Sequence, residues 1–139
     1  MLRVSLDGGY DGSKRLAEMA ADGVSAEVLY PSRTAGLYAL QDPALQQAAF
    51  TVYNEWIREY IGSNTDRLVG IPSISVYDIK QAVKDLEYWH SAGLRGGPQI
   101  WAAPPVHLPF SSPHYEPLWE AAEALGVPVN LHVNSGPTH

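Results

Sequence analysis

The chain of 139 residues carries nine Lys and Arg against fifteen Asp and Glu, a formal net charge of −6, and no cysteine. Chains of this size hide roughly two-thirds of the surface they expose when unfolded, so residues 1–139 are expected to build one domain with its own core rather than a disulfide-stapled miniature. The missing cysteines exclude thiolate metal sites and cysteine nucleophiles, the lack of a basic cluster argues against a nucleic-acid partner, and no apolar run suits a signal peptide or a membrane span, so a cytoplasmic protein is expected.

The first predicted element is a helix over Ser13 to Asp22, with Leu16, Met19 and Ala20 on one face and Gly23 as its stop. Val24 to Tyr30 then reads as a strand closed by Pro31, which leaves Ser32, Arg33 and Thr34 in the loop at its carboxyl end. Asp42-Pro43 is a cap with proline at the first helical position, and Leu45, Ala49, Val52, Trp56 and Tyr60 recur at helical spacing up to Gly62. Arg67 to Ile71 is a second strand ended by Pro72. Ser75 and Asp78 read as an S-x-x-D cap before a helix carrying Ile79, Val83, Leu86 and Trp89, closed at Gly93.

Leu94 to Trp101 is the third strand, interrupted by Gly96, Gly97 and Pro98, and it opens a long Pro-rich loop reaching Pro113. A helix starting at Pro117 carries Leu118, Trp119, Ala122 and Leu125, and after Gly126 the run Val127 to Val133 is a fourth strand. The joint of helix, glycine, apolar residue and strand recurs at Gly23, Gly93 and Gly126. Short helix-to-strand joints and longer strand-to-helix loops are the pattern of parallel βα units, so the fold class is α/β. Two architectures fit it, an arc of a (β/α)8 barrel and a doubly wound sheet, and Gly8, Gly9 and Gly12 do not form the phosphate-binding fingerprint of the latter.

His132 is the first residue to weigh for chemistry, because an apolar strand delivers it into an Asn-Ser-Gly turn, where parallel strands present ligands to a pocket. A hydrogen-bonded structural histidine is the competing reading, and one imidazole alone cannot hold a catalytic metal. Ser32 and Arg33 could bind a substrate carboxylate, since Arg offers a planar fork, or could simply be surface residues. His90 falls in the last turn of a helix, His107 and His114 flank the long loop, and Asn54, mid-helix, reads as a structural partner for a neighbouring loop.

The stretches Arg15 to Met19, Asp22 to Pro31, Tyr53 to Trp56, Asp66 to Gly70, Ala92 to Gly96, Pro117 to Ala121 and Gly126 to His132 together resemble the amidohydrolase-related (amidohydrolase 2) family. The resemblance implies a partial (β/α)8 TIM barrel in which the four strands correspond to the second through fifth. It implies that His132 is the fifth-strand ligand of a divalent metal, zinc by expectation; Ser32 and Arg33, with Asn134 beside His132, are the candidates read from the residues themselves for contact with a small-molecule substrate. The family's first-strand H-x-H pair, sixth-strand histidine and eighth-strand aspartate are absent, so residues 1–139 are expected to be an inactive part of a metal-dependent hydrolase or decarboxylase, with a homo-oligomeric whole protein as a further expectation. The alternative is a noncatalytic α/β interaction module whose strand edges bind another chain.

Overall fold

A computed structural model describes residues 7–133 and 135. Four short strands, β1 (Glu27–Leu29), β2 (Leu68–Gly70), β3 (Gln99–Trp101) and β4 (Asn130–His132), alternate with four helices, α1 (Gly12–Ala21), α2 (Pro43–Ile61), α3 (Ile79–Ser91) and α4 (Glu116–Leu125). β1 pairs in parallel with β2, and β3 in parallel with β4. The two pairs are joined through the segment after β2: Gln99 N–H donates to the Pro72 carbonyl at 2.8 Å, and Ile74 N–H to the Gln99 carbonyl at 3.0 Å. The result is a parallel arc in the order β1-β2-β3-β4, the α/β arrangement expected from the sequence.

Helix ends follow local chemistry. Asp11, Asp42 and Asp78 each accept two N–H bonds from the first turn of α1, α2 and α3, and Gly126 stops α4 in the left-handed conformation at φ 66°. Ser75 does not take part in the cap expected of it; it is buried, and its hydroxyl donates to Gln46 Oε1 at 2.6 Å. Every strand is shorter than its apolar run. The third shows why: Gly97 sits at φ 78° with room for no side chain, its Cβ position being 1.9 Å from the Pro128 carbonyl oxygen, and Pro98 has no N–H to give, so the ladder begins only at Gln99.

The long helix is where the sequence pattern misleads. α2 buries Gln46, Phe50, Asn54, Ile57 and Ile61, and leaves Leu45, Val52 and Trp56 about half exposed or more. The apolar stripe read from the sequence is thus mainly the outer face, because two polar side chains with specific partners occupy the inner one. Asn54 grips the chain beyond β2 with both amide atoms: its Nδ2 donates to the Ser73 carbonyl at 2.9 Å, and its Oδ1 accepts from Ser73 N–H at 2.8 Å. Gln46 donates to the carbonyls of Leu37 and Leu40, tying down the 3-10 helix Ser32–Ala39, an element the sequence did not announce.

Two apolar clusters flank the sheet. One joins Phe50, Leu86, Ile100, Trp101 and Leu118 around β3, and the other joins Met19, Ile57, Leu68, Trp89 and Leu94 around β2. α1 is fastened to β1 by a bidentate ion pair, Arg15 Nε and Nη2 each 2.8 Å from a Glu27 carboxylate oxygen. No helix among the described residues is long and apolar enough to cross a membrane.

Candidate metal-ligand strand at the carboxyl end of the sheet

Side chains alternate along a strand, so Glu27 and Leu29 share one face of β1, and Val28 shares the other with Tyr30 just beyond the strand. Glu27 and Leu29 meet α1 and the cluster around β2, which makes theirs the helix-covered face. Tyr30 reaches across the arc and donates its hydroxyl to Asn130 Oδ1 at 3.2 Å, a contact between residues 100 apart. Asn130 therefore points to the concave side, and His132, two residues on, shares that side.

His132 is the last residue of β4 and is partly exposed. Its Nδ1 lies 2.7 Å from the Val133 carbonyl oxygen. A carbonyl only accepts, so Nδ1 carries the proton and Nε2 keeps its lone pair in the neutral ring. Imidazole nitrogens that bind metals are commonly arranged this way, the second nitrogen donating to a carbonyl or carboxylate. By that chemistry His132 fits the role of one metal ligand. No group of three or more His, Cys, Asp or Glu capable of holding a metal occurs among the described residues, so the rest of a ligand set is not found there.

The base of this strand is fixed by Asn130. Its backbone N–H donates to the Pro98 carbonyl at 2.8 Å, and its side-chain Nδ2 donates to the carbonyls of Gly96 at 2.9 Å and Gly97 at 3.3 Å. Beyond the strand, Ser135 is buried, and its Oγ accepts from Ala102 N–H just past the end of β3 at 2.9 Å.

Ser32 and Arg33 open the 3-10 helix after β1, and both are exposed. They line a cavity of about 750 Å³ together with Tyr30, Tyr53, Trp56 and Tyr60, over the Arg15–Glu27 pair. Burial pushes the Tyr53 hydroxyl far above the ordinary tyrosine range. His132 is not part of that lining, so the structure brings the two candidate substrate residues together but not with the candidate ligand. Asn134 lies outside the described residues. His114 Nε2 donates to the Val76 carbonyl at 2.7 Å, a structural use of its ring, while His107 is exposed in its loop.

Residues 7–137 match the family model described as Amidohydrolase. The chain belongs to the amidohydrolase family. Among solved structures it resembles an amidohydrolase from Mycobacterium avium subsp. paratuberculosis K-10, at 20% identity and a TM-score of 0.76, over 89% of this chain and 34% of that one. It resembles 5-carboxyvanillate decarboxylase from Novosphingobium aromaticivorans DSM 12444, solved with bound manganese, at 19% identity and a TM-score of 0.70, over 89% and 35%. A third likeness is 2,6-dihydroxybenzoate decarboxylase from Rhizobium, at 23% identity and a TM-score of 0.69, over 85% and 38%. No curated protein matches.

The amidohydrolase chain thus spans about a third of the length of the solved structures it matches, and its four parallel strands are an arc of a (β/α)8 barrel. Sequence reasoning reached His132 but passed over Asn130, Tyr30 and Ser135. Asn130 could have been found: it is a polar residue inside the apolar run Val127 to Val133, at the spacing of two that puts it on the same side as His132.

Proposed function

We propose that this chain carries one metal-ligand strand of a metal-dependent hydrolase or non-oxidative decarboxylase that acts on a small carboxylated cyclic substrate. The observation that carries this reading is His132 itself, a concave-side imidazole at a strand's carboxyl end with Nδ1–H tied to a backbone carbonyl and Nε2 free to bind. A divalent ion supplies Lewis-acid polarisation of a substrate oxygen, and zinc or the manganese seen in the decarboxylase from Novosphingobium aromaticivorans are the two ions to compare.

In this reading His132 contributes one nitrogen, and Ser32 and Arg33 would hold a carboxylate in their own cavity, which His132 does not line. Residues 1–139 alone are expected to turn over no substrate, because a single imidazole cannot assemble the site. A cytoplasmic location and a homo-oligomeric whole protein belong to the same proposal.

The test is nuclear magnetic resonance of the histidine rings of the whole enzyme, where the other ligands of the set are present, during titration with Mn²⁺ and, separately, Zn²⁺. Selective broadening of His132 by Mn²⁺, ahead of His90, His107 and His114 and lost in His132→Ala, is the expected outcome. Equal response of all the histidines would refute the ligand assignment. The second reading, a noncatalytic interaction module, draws on the exposure of Val28 and Leu131 on the outermost strands and of Val133 just beyond β4. A metal-indifferent His132 together with stable capture of a second chain on β1 or β4 would favour it.

A further inference from the structure

We infer that two copies of this chain close edge to edge, β1 of each against β4 of the other, into one eight-stranded parallel barrel. Among the described residues no strand pairs with the outer side of β1 or of β4, so the arc is open at both ends. Glu27 N–H donates to the Arg67 carbonyl at 2.8 Å and the Leu29 carbonyl accepts from Ile71 N–H at 3.3 Å, which turns the backbone of these two residues toward β2. Alternate residues of a parallel strand face opposite neighbours, so the N–H and carbonyl of Val28 face outward. On the other edge Asn130 N–H donates to the Pro98 carbonyl, and Leu131 faces outward by the same alternation.

The side chains at the two edges are complementary. Val28 and Leu131 are 54% and 53% exposed, an apolar residue half in water at the centre of each outermost strand. Every residue from Glu27 to Arg33 lines the cavity of about 750 Å³, whichever way its side chain points. A cavity on one face would touch only alternate residues, so this one runs along the open edge of β1. Its wall on the helix side is largely aromatic, from Tyr53, Trp56 and Tyr60 of α2. Leu131 lies on the helix-covered side of β4, opposite to Asn130. Set beside β1 of the partner subunit, Leu131 enters that subunit's cavity, while Val28 of the partner subunit turns to the concave side with Asn130 and His132.

A second copy is the occupant that leaves no edge behind. A two-fold axis along the strands keeps all of them parallel and makes two identical junctions, and eight strands close a barrel of this kind. Pairing β1 with β1, or β4 with β4, runs antiparallel and leaves the other edge of each copy open to further chains. Closure also brings the carboxyl end of β1, with Ser32 and Arg33 of the partner subunit, next to the His132 that does not line the cavity of its own chain. The closure itself requires no metal at His132.

The experiment is sedimentation equilibrium of the full 139-residue chain without added metal, beside the variants Val28→Lys, Leu131→Lys and, on the exposed face of α2, Val52→Lys. The wild type is expected at the mass of two copies and no more. A lysine on either edge strand meets both junctions of the dimer, so Val28→Lys and Leu131→Lys should each weaken it about a hundredfold or more, and Val52→Lys should leave it unchanged. Both edge positions stand half in water already, so these variants keep the folded single copy, read by circular dichroism and the urea midpoint. A wild type that stays a single copy over a wide range of concentration would overturn the inference and assign the two edges to other segments of a longer polypeptide. Masses that keep growing with concentration would overturn closure in favour of open head-to-tail chains. Dimers lost in only one of the two edge variants would overturn it as well, because like edges would then be pairing with like.

Discussion

Replacing Asn54 by leucine tests whether a buried amide, and not the apolar stripe beside it, joins α2 to the sheet. The leucine fills a similar volume, so the perturbation is the loss of two hydrogen bonds to Ser73, which is 1% exposed. Both the N–H and the carbonyl of Ser73 would then be buried without partners, at about 1–3 kcal/mol each. Extra burial of leucine carbon offsets about 1 kcal/mol of that, so a net loss of about 1–5 kcal/mol is expected. Urea unfolding followed by circular dichroism reads it as a lower midpoint with an unchanged slope. The companion variant Val52→Ser, at a site 67% exposed, should change stability by less than about 0.5 kcal/mol. A loss below about 1 kcal/mol in Asn54→Leu, or a larger loss in Val52→Ser, would refute the reasoning.

Gly97→Ala should cost about 3 kcal/mol or more, because it places a methyl group on the Pro128 carbonyl and asks an L residue to hold φ 78°; a loss under about 1 kcal/mol in the same assay would show that the strand start yields freely. The contribution of Tyr38 to stability should be level below pH 10 and fall above it. Tyr38 is fully buried with its hydroxyl on the Gln99 carbonyl, and burial pushes its ionisation well above the ordinary value of 10.0. The unfolded chain therefore releases that proton first, and stability is lost as pH climbs toward the folded value, by up to about 1.4 kcal/mol per pH unit. Tyr38→Phe should flatten that decline in urea midpoints between pH 9 and pH 11, and an unaltered decline would assign it elsewhere.

Helix boundaries were legible because each is written in local chemistry: Asp42 with Pro43, Asp78, and the glycines at 62, 93 and 126 act on the backbone next to them. The inner face of α2 was not legible, since Gln46 and Asn54 earn their burial only from partners at Leu37, Leu40, Ser73 and Ser75 that come together on folding. Strand lengths were overstated because an apolar run reports burial and not pairing, and Pro72, Pro98 and Pro128 interrupt the ladder without interrupting hydrophobicity. At the site, His132 stood out by residue type and by its place after an apolar run. Ser135 did not, because its contacts are to backbone atoms of Ala102 and Ala103, which no side-chain pattern advertises.

The anchoring of Asn130 to Gly96 and Gly97 also sets which changes of length this chain can absorb. The loop after β3 can gain or lose residues without altering where β4 begins, because the strand takes its start from the carbonyls of Gly96, Gly97 and Pro98. A single residue inserted between Asn130 and His132 would leave that start in place and turn the imidazole to the helix-covered face. Within this segment, then, counting matters more than composition: homologous chains could differ freely at Leu131 but not in the number of residues that separate the anchor from the ligand.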